Sequence, residues 1–240
     1  MASKPLRGQV ACITGASRGI GLAIAHSLAK EGCDLVIAGR KESNLSKAVK
    51  RLAKQPIRVL PMVCDVRDER QVTALFAAVK KRFRRLDILI NNAGVAHSNL
   101  SIAKLPLTSW NEVIDTNLTG TFLVTRAALP LMKRGATIVN NLSVSAKRVF
   151  PGMAAYSAAK HGALGFTKTL REELRPQGIR VIALLPGATD TAIWDAFWPG
   201  APRERMMPAE SVAKTVVDVL LLPADSTVEE LVIAPTAGAL

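Results

Sequence analysis

The stretch Val10-Ala-Cys-Ile-Thr14-Gly15-Ala16-Ser17-Arg18-Gly19-Ile20-Gly21 joins an apolar, strand-like run directly to a glycine-rich loop, and an apolar, helix-like segment follows at once. Gly15 permits a tight turn, while Gly19 and Gly21 let the backbone and the helix approach closely. The N–H groups at the start of such a helix attract a pyrophosphate. Because the loop lies between a strand and a helix, it favours a dinucleotide site over a simple turn, although its spacing is G-x-x-x-G-x-G.

Strand-like apolar runs of this kind recur along the chain and alternate with helix-length segments. The seven runs cover residues 10–14, 35–38, 58–62, 88–91, 137–141, 180–185 and 231–233. Runs this hydrophobic are typical of strands buried on both faces, and the alternation is that of right-handed βαβ units. The sequence therefore predicts an α/β fold: a single-domain, Rossmann-type, doubly wound parallel sheet of seven strands with helices on both faces.

The chain shows no linker, repeat or low-complexity tract that marks a second domain. Residues 1–240 are therefore predicted to form a single dinucleotide-binding and catalytic domain. The least regular stretch, at about residues 190–208, joins a strand to the last long helix, where open sheets of this type form ligand crevices. We interpret it as a substrate-lid segment.

The composition is that of a globular protein and limits its partners. Of the 240 residues, 49% are hydrophobic and 21% are charged, which is too apolar for a disordered chain. The net charge is +13, and its densest cluster, at residues 80–85, closes an amphipathic segment in the manner of a solvated helix face. With only 4% aromatic residues there are few stacking platforms, so we expect no nucleic-acid partner. The positive field can attract phosphorylated ligands.

The cysteines, histidines and N-terminus argue against a disulfide-bonded, metal-binding, secreted or membrane-spanning protein. Cys12, Cys33 and Cys64 are odd in number and form no C-x-x-C pair, which favours a reducing compartment over a disulfide framework. The three histidines lack metal-ligand spacing, so no metal is expected. No signal-peptide stretch opens the chain, and no segment approaches the ~20 apolar residues of a membrane span. The expectation is a cytoplasmic protein without a membrane partner.

The end of the second predicted strand bears on the choice of cofactor. An acidic residue there binds the adenosine 2′-hydroxyl of NAD, whereas an arginine nearby accommodates the 2′-phosphate of NADP. Here the strand ends in Gly39-Arg40-Lys41, and Arg18 in the glycine loop can approach the same group. Both arginines can also be ordinary surface residues. The sequence predicts that NADP(H) is preferred over NAD(H).

Tyr156, the single tyrosine of the chain, precedes Lys160 by four residues in a helix-prone stretch, so both side chains share one helix face. A free phenol titrates near pH 10, too high for efficient proton exchange at neutrality. An adjacent ammonium favours the phenolate and lowers that pKa. A pair at this spacing can also be accidental, so other motifs have to support it.

Six motifs, in order, make the chain similar to the short-chain dehydrogenase/reductase family over about residues 6–238. The glycine loop resembles T-G-x-x-x-G-x-G, residues 91–94 resemble N-N-A-G, residues 156–160 resemble Y-x-x-x-K, and residues 186–191 resemble the P-G-x-x-x-T segment beside the nicotinamide. Asn117 lies where the family carries its active-site asparagine, and Ser143, thirteen residues before Tyr156, has the spacing of its catalytic serine. The resemblance implies an NADP(H)-dependent oxidoreductase that transfers hydride between nicotinamide and a carbonyl or secondary alcohol.

The resemblance implies a role for each of four catalytic residues, Asn117, Ser143, Tyr156 and Lys160. Tyr156 would protonate the carbonyl oxygen during reduction, or deprotonate the alcohol in the reverse reaction. Lys160 would bind the nicotinamide ribose and lower the Tyr156 pKa. Ser143 would donate to the substrate oxygen, and Asn117 would hold a water that links Lys160 to solvent.

The same resemblance implies a set of cofactor-binding residues. They are Gly15, Ser17, Arg18, Gly19, Ile20, Gly21, Arg40, Asp65, Val66, Asn91, Ala93, Gly94, Tyr156, Lys160, Pro186, Gly187, Thr189 and Thr191. Besides Arg18 and Arg40, three of them have structural alternatives. Asp65 can cap the helix that starts near Asp68, Thr191 can cap a helix, and Asn91 can satisfy backbone groups at a strand end.

Residues that line a substrate pocket are expected to be mostly apolar or aromatic. The candidates are His97, Ser145, Val149, Phe150, Met153, Trp194, Phe197 and Trp198. They suit a ketone or aldehyde with a hydrophobic portion. The three aromatic residues of segment 190–208 can equally pack that segment shut or cover a neighbouring subunit.

The expected partners are a small-molecule substrate and further copies of the chain. Residues 111–132 and 156–174 correspond to the family's dimer-forming helices, so a homodimer or homotetramer is expected. The family includes 3-oxoacyl-carrier-protein reductases, but the ending at residues 231–236 departs from their V-x-G-G. Two other interpretations are weighed: a catalytically silent NADP(H) sensor or scaffold, against which the four catalytic residues stand, and epimerase chemistry, whose glycine spacing and long substrate domain are missing here.

Overall fold

The computed structural model describes residues 4–240, and a seven-stranded parallel sheet forms its centre. The strands are β1 (Val10–Thr14), β2 (Asp34–Gly39), β3 (Val59–Val63), β4 (Ile88–Asn91), β5 (Thr137–Asn141), β6 (Arg180–Pro186) and β7 (Glu230–Ile233). Their spatial order is β3-β2-β1-β4-β5-β6-β7. The predicted doubly wound sheet is confirmed, and each predicted run differs from its strand by at most one residue at either end.

Eight α-helices accompany the sheet within the described residues. They are α1 (Gly19–Lys30), α2 (Glu42–Leu52), α3 (Glu69–Phe83), α4 (Leu107–Ile114), α5 (Gly120–Ala128), α6 (Ala154–Leu174), α7 (Trp194–Phe197) and α8 (Ala209–Leu220). Most of them connect one parallel strand to the next, as the crossover rule requires.

The two faces of the sheet carry separate apolar layers. In β1, Ile13 packs on the layer that includes α1 and α8, while its neighbour Cys12 packs on the layer that includes α3, α5 and α6. Successive side chains of a strand point to opposite faces, so each inner strand contributes to both layers. The expected burial on both faces is wrong for the edge strands β3 and β7, whose Val63 and Val232 are exposed because each edge has only one neighbouring strand.

The sheet topology places a crevice where the strand order reverses. β1 pairs with β2 on one side and with β4 on the other. The sheet continues from β2 to β3 at one edge, and from β4 through β5 and β6 to β7 at the other. Loops after the carboxyl ends of β1 and β4 therefore meet over the sheet. The glycine-rich loop follows β1, and residues 91–94 end and follow β4.

The helix expected over residues 111–132 is not continuous. A π-helical turn, Asp115–Thr119, separates α4 from α5, and α5 ends at Ala128 before a 3₁₀ turn that contains Pro130. The expectation of a single continuous helix is therefore wrong at the π turn, Asp115–Thr119. Such turns widen a helix locally and are frequent at functional sites.

The basic cluster at residues 80–85 occupies the end of α3, as expected for a solvated helix terminus. The apolar face of this helix is buried, and Lys80, Lys81 and Arg82 lie in its last turn, where cations complement the helix dipole. Within residues 4–240, none of the helices combines the length and the apolar character that crossing a bilayer requires. The three cysteines are buried and unbridged.

A buried arginine fastens the long helix α6 to the sheet. Arg171 is 7% exposed, and its guanidinium donates to the backbone oxygens of Val181 (2.9 Å) and Glu229 (2.6 Å). Arg175, one turn later, is exposed and pairs with the Glu172 and Glu229 carboxylates. The two arginines therefore contact the same segment from inside and outside the protein.

We expect Arg171→Met to lower the free energy of unfolding by about 2–3 kcal/mol, because it removes charge-assisted hydrogen bonds from buried carbonyl oxygens. Arg175→Met, the surface control, should cost much less, because solvent screens its exposed ion pairs. Urea unfolding of the three proteins measures both changes. Equal losses for the two variants would contradict the assignment of α6 anchoring to Arg171.

Candidate active site

A close contact between the glycine-rich loop and the turn after β4 forms the base of the crevice. Gly15 and Gly19 have φ values of +65° and +56°, a backbone conformation that favours glycine. At Gly21 the reason is space: a Cβ there would lie 2.3 Å from Asn92 Nδ2 and 2.6 Å from the Gly15 backbone oxygen. The three glycines are therefore required for two different physical reasons.

The N-terminus of α1 is free to receive an anion. Its cap residue, Arg18, is extended (φ −163°) and makes no capping hydrogen bond with its side chain, and the first turn has no acidic residue. The N–H groups of this turn keep the positive end of the helix dipole available. Together with the glycine turn, they fit a pyrophosphate-bearing dinucleotide.

Asn92, which the sequence analysis passed over, links the glycine loop to the predicted catalytic lysine. Its Nδ2 donates to the Thr14 backbone oxygen (2.9 Å), and its Oδ1 accepts from Asn141 Nδ2 (2.8 Å). The Asn141 backbone oxygen in turn accepts from Lys160 Nζ at 3.1 Å. The sequence shows Asn92 as the second asparagine of N-N-A-G, but its hydrogen bond to Asn141 forms only because β5 lies beside β4.

The neighbouring motif residues mainly shape the backbone. The N–H groups of Asn92 and Ala93 both donate to Thr14 Oγ1 at 3.0 Å, which holds this turn against β1. Asn91 is buried, and its Nδ2 donates to Thr125 Oγ1 and Asn140 Oδ1, both at 2.8 Å. These contacts favour the structural alternative for the Asn91 side chain.

The predicted catalytic side chains come from β5 and α6. Lys160 is 5% exposed, and its Nζ lies 5.5 Å from the centre of the Tyr156 ring, one helical turn away on the same face. Ser143 follows β5 in an extended conformation, and its hydroxyl accepts from the Ser145 N–H (3.1 Å) while contacting the Tyr156 phenol. The structure thus brings Ser143, Tyr156 and Lys160 together.

Burial sets the proton affinities of this group. It raises the pKa of Tyr156 to about 12, and the hydrogen bond with Ser143 offsets only part of that increase. It lowers the pKa of Lys160 to about 8. The direction for Tyr156 is opposite to the sequence-based expectation, because loss of solvent disfavours the phenolate more than its neighbours stabilise it.

Asn117 lies in the π turn between α4 and α5 and is 1% exposed. Its Oδ1 accepts from the Val95 N–H (2.9 Å) and its Nδ2 donates to the Val95 backbone oxygen (2.8 Å). A Cβ at Gly94 would lie 3.1 Å from Asn117 Oδ1, which explains the small residue there. The Asn117 side chain therefore fixes the loop after β4.

The opposite end of the crevice holds a cluster of charges. Arg40, after β2, is exposed, and its Nη1 lies 3.7 Å from Glu112 Oε1 on α4. Asp65 is bound by Arg67, whose hydrogen bonds are the main reason that the Asp65 pKa is lowered. The capping alternative for Asp65 is wrong, because Asp68 Oδ1 accepts from the first N–H groups of α3. Arg18 is exposed at the glycine loop.

The other predicted cofactor residues lie at the edges of the same crevice. Val66 is buried against Gly120, where a Cβ would lie 2.7 Å from Val66 Cγ2. Gly187 donates its N–H to the Ile233 backbone oxygen (2.7 Å), and Thr189 donates its hydroxyl to the Gly187 backbone oxygen (3.0 Å). The predicted set also includes Ser17 and Ile20, which are half-buried, and Pro186, which is buried.

Hydrogen bonds within segment 190–208 join its later part to its beginning. Arg203 donates to Asp190 Oδ1 (2.8 Å) and the Thr191 backbone oxygen (2.7 Å), and it pairs with Asp195. Thr191 lies over the glycine loop, since a Cβ at Gly19 would be 3.2 Å from its Cγ2. Thr191 does not cap α7, whose cap residue is Ile193 without a side-chain bond.

The predicted substrate residues fall into two groups. Trp194, Phe197 and Trp198 pack on one another, and Trp194 Nε1 donates to the Thr189 backbone oxygen (3.0 Å). The second group flanks the loops after β4 and β5: Ser145, Met153 and His97 are buried, Phe150 is half-buried, and Val149 is exposed. The contacts within segment 190–208 support the alternative that its aromatic residues pack the segment itself.

Similarity to known proteins agrees with this geometry. The model of the family described as short chain dehydrogenase matches residues 9–201. An uncharacterized oxidoreductase of Bacillus subtilis is 35% identical over 214 residues, which cover 88% of this chain and 83% of that protein. An uncharacterized oxidoreductase of Staphylococcus saprophyticus is 35% identical over 235 residues, covering 96% and 98%.

Two solved structures with this fold contain nicotinamide cofactors. An alcohol dehydrogenase from Thermococcus sibiricus, complexed with 5-hydroxy-NADP, superimposes with a TM-score of 0.90 at 31% identity, covering 97% of this chain and 98% of that chain. A short chain dehydrogenase from Burkholderia cenocepacia in complex with NADP has a TM-score of 0.89 at 31% identity, covering 97% and 99%.

The burial of Lys160 leads to a stability prediction. The pKa of about 8 lies below the ordinary lysine value, so the folded protein is destabilised by the charged ammonium below pH 8. Lys160→Met should therefore raise the free energy of unfolding at pH 6.5 by on the order of 2–3 kcal/mol. This gain should shrink as the pH rises through 8, because the wild-type lysine then loses its charge in the folded state.

Denaturant unfolding at pH 6.5 and pH 9.5 measures the effect. Lys168→Met removes an exposed lysine from the same helix and should leave stability nearly unchanged at both pH values. A Lys160→Met variant less stable than the wild type at pH 6.5 would contradict the prediction.

Proposed function

The chain belongs to the short-chain dehydrogenase family, and we propose that it is an NADP(H)-dependent oxidoreductase in which Tyr156 exchanges a proton with a carbonyl or secondary alcohol substrate. It is an enzyme that acts on CH–OH or C=O groups, as the members of this family do. The silent sensor or scaffold receives no support from these relatives, which are named as oxidoreductases and dehydrogenases.

The single observation that carries the proposal is the placement of Tyr156 between a hydroxyl and a buried ammonium. The phenol contacts Ser143, and Lys160 Nζ lies 5.5 Å from its ring on the same helix face. Lys160 has no buried carboxylate beside it; its recorded partner within residues 4–240 is the Asn141 backbone oxygen. A buried charge without an acidic partner costs stability, which favours a functional reason for keeping it.

Each side chain has a distinct task in this proposal. Nicotinamide, when bound, supplies or accepts the hydride. The Ser143 hydroxyl donates to the substrate oxygen and stabilises the negative charge that develops on it. Tyr156 then transfers its proton to that oxygen, and Lys160 stabilises the phenolate left behind. Asn117 supports the site by holding the loop at Val95 in place.

The proton affinities give the charge states of Tyr156 and Lys160 before the reaction begins. With a pKa of about 12, Tyr156 carries its proton at neutral pH and is ready to act as an acid. Lys160, with a pKa of about 8, remains mostly charged at pH 7 and becomes neutral above pH 8.

NADP(H) is preferred in this proposal because cations surround the expected adenosine end. Arg40 stands after β2, where a carboxylate would face the 2′-hydroxyl of NAD, and Arg18 lies in the glycine loop. Two structural relatives contain NADP or a derivative of it. The set of cofactor residues predicted from the sequence is retained, with the Asn91 side chain assigned a structural role.

The family resemblance also suggests how the chain is organised, how it assembles and where it acts. We propose that residues 1–240 act as one domain, that segment 190–208 covers the substrate, and that the chain assembles as a homodimer or homotetramer in the cytoplasm. Buried Met153 and half-buried Phe150 suit a substrate with a hydrophobic portion.

Tyr156→Phe should reduce the rate of carbonyl reduction by at least about 100-fold, because it removes the proton donor while keeping the ring. NADPH consumption across a panel of ketones and aldehydes measures the rate. NADPH binding, followed by fluorescence, should remain intact in the variant. A wild-type protein that binds NADPH but reduces no carbonyl, with Tyr156→Phe unchanged, would refute the catalytic proposal.

Arg40→Asp should lower the preference for NADPH over NADH by about tenfold or more, because a phosphate then faces a carboxylate in place of a guanidinium. The ratio of the two dissociation constants measures the effect. Arg51→Asp makes the same charge change at the far end of α2 and should leave the ratio unchanged. An unaltered ratio in Arg40→Asp would show that Arg40 does not contact the cofactor.

A further inference from the structure

Three segments that are distant in sequence place one carboxylate oxygen between two guanidinium groups. Glu112 Oε1, on α4, lies 3.7 Å from Arg40 Nη1 after β2 and 3.8 Å from Arg67 Nη1 before α3. No motif of the sequence points to Glu112 or Arg67. The contact forms because the loops after β2 and β3 meet α4 over the carboxyl ends of these strands.

The two arginines are held differently. The Arg67 guanidinium donates through Nη2 to Asp65 Oδ2 (2.6 Å) and through Nε to Asp65 Oδ1 (3.0 Å), which fixes its plane. Its Nη1 then points toward Glu112. Arg40 has no such anchor: among the described residues, Glu112 is the acidic partner within ion-pair distance of it. Glu112 is therefore the counter-ion shared by a fixed arginine and a loosely held one.

The charges of this cluster cancel. Arg40 and Arg67 are matched by Asp65 and Glu112, so these four groups together offer a bound phosphate no net positive charge unless one carboxylate withdraws. Asp65 is held by short hydrogen bonds, whereas both Glu112 contacts exceed hydrogen-bond distance. The Arg40 and Glu112 side chains are about half exposed, at 50% and 48%. Glu112 is the carboxylate that can be displaced at little cost.

We propose that Glu112 is a resident counter-ion that competes with the adenosine 2′-phosphate for Arg40 and Arg67, and that it thereby limits the discrimination between NADP(H) and NAD(H). The inference rests on the proposed function only in placing Arg40 at the 2′ position. The Glu112 oxygen stands between the two guanidinium groups, where an oxygen of the phosphate is favoured. A cofactor with a free 2′-hydroxyl leaves the Glu112 pairs undisturbed.

Competition predicts the sign of a substitution. Glu112→Gln keeps the size of the side chain and removes its charge, so the 2′-phosphate no longer has to displace an anion. Affinity for NADPH should rise by up to about fivefold, the upper end of the range expected for an exposed ion pair, while affinity for NADH stays the same. The dependence on Glu112 should weaken at high salt, where exposed charges are screened.

The experiment measures binding to the intact protein and needs no turnover. Dissociation constants for NADPH and NADH come from cofactor fluorescence, and those for adenosine 2′,5′-bisphosphate and adenosine 5′-monophosphate from calorimetry, all at low ionic strength. The last two ligands differ only in the 2′-phosphate. Glu229→Gln is the matched control, because Glu229 is also a half-exposed glutamate that pairs with two arginines, Arg171 and Arg175, and it precedes β7, at the end of the sheet opposite the crevice.

Each outcome decides the matter. Tighter binding of the two 2′-phosphorylated ligands in Glu112→Gln alone supports competition. Weaker binding of these ligands means that Glu112 positions the arginines, and equal changes for all four ligands mean a structural role; both results overturn the inference, as does no change. If the wild type lacks an NADPH preference, the cofactor part of the proposed function fails. The effect of Glu112→Gln on the ratio of the NADPH and NADH dissociation constants still tests the competition.

Discussion

The contact between the glycine-rich loop and the turn after β4 is the constraint on which the site depends. No side chain fits at Gly21, because Asn92 Nδ2 and the Gly15 backbone oxygen already occupy the space that a Cβ would need. The same Asn92 bonds to Asn141, whose backbone oxygen accepts from Lys160. One chain of contacts thus joins the proposed phosphate end of the crevice to the proposed catalytic end, so displacement of either loop alters both.

The energetic cost of the site is concentrated in Lys160. Lys160 is 5% exposed, and among the described residues its ammonium donates to one backbone carbonyl. This burial lowers the pKa of Lys160 to about 8. The same burial raises the pKa of Tyr156 to about 12. Stability alone favours an apolar residue at position 160, and the proposed role of Lys160 beside Tyr156 gives a reason for a lysine there. The rest of the fold offsets this cost through two fully packed layers and anchors such as Arg171.

Sequence reasoning was accurate where a feature is local or periodic, and it failed where a feature depends on neighbours in space. The strands follow from continuous apolar runs, so β1, β4 and β5 have the predicted bounds. The π turn at Asp115–Thr119, which interrupts the helix expected over residues 111–132, was not predicted. Asp65 was a candidate to cap α3, but Asp68 caps it, because the chain after β3 places Asp68 at the start of the helix.

The sequence by itself determined the parallel α/β sheet, the glycine turn before α1 and the one-turn separation of Tyr156 and Lys160, because strand burial, backbone freedom and helical spacing are properties of short segments. Only the tertiary structure decided how far Tyr156 and Lys160 are buried, that Asn92 ties the two ends of the crevice, and that Glu112 faces Arg40 and Arg67. These properties arise from loops that meet over the sheet, and solvent exclusion and charge pairing there depend on residues many positions apart.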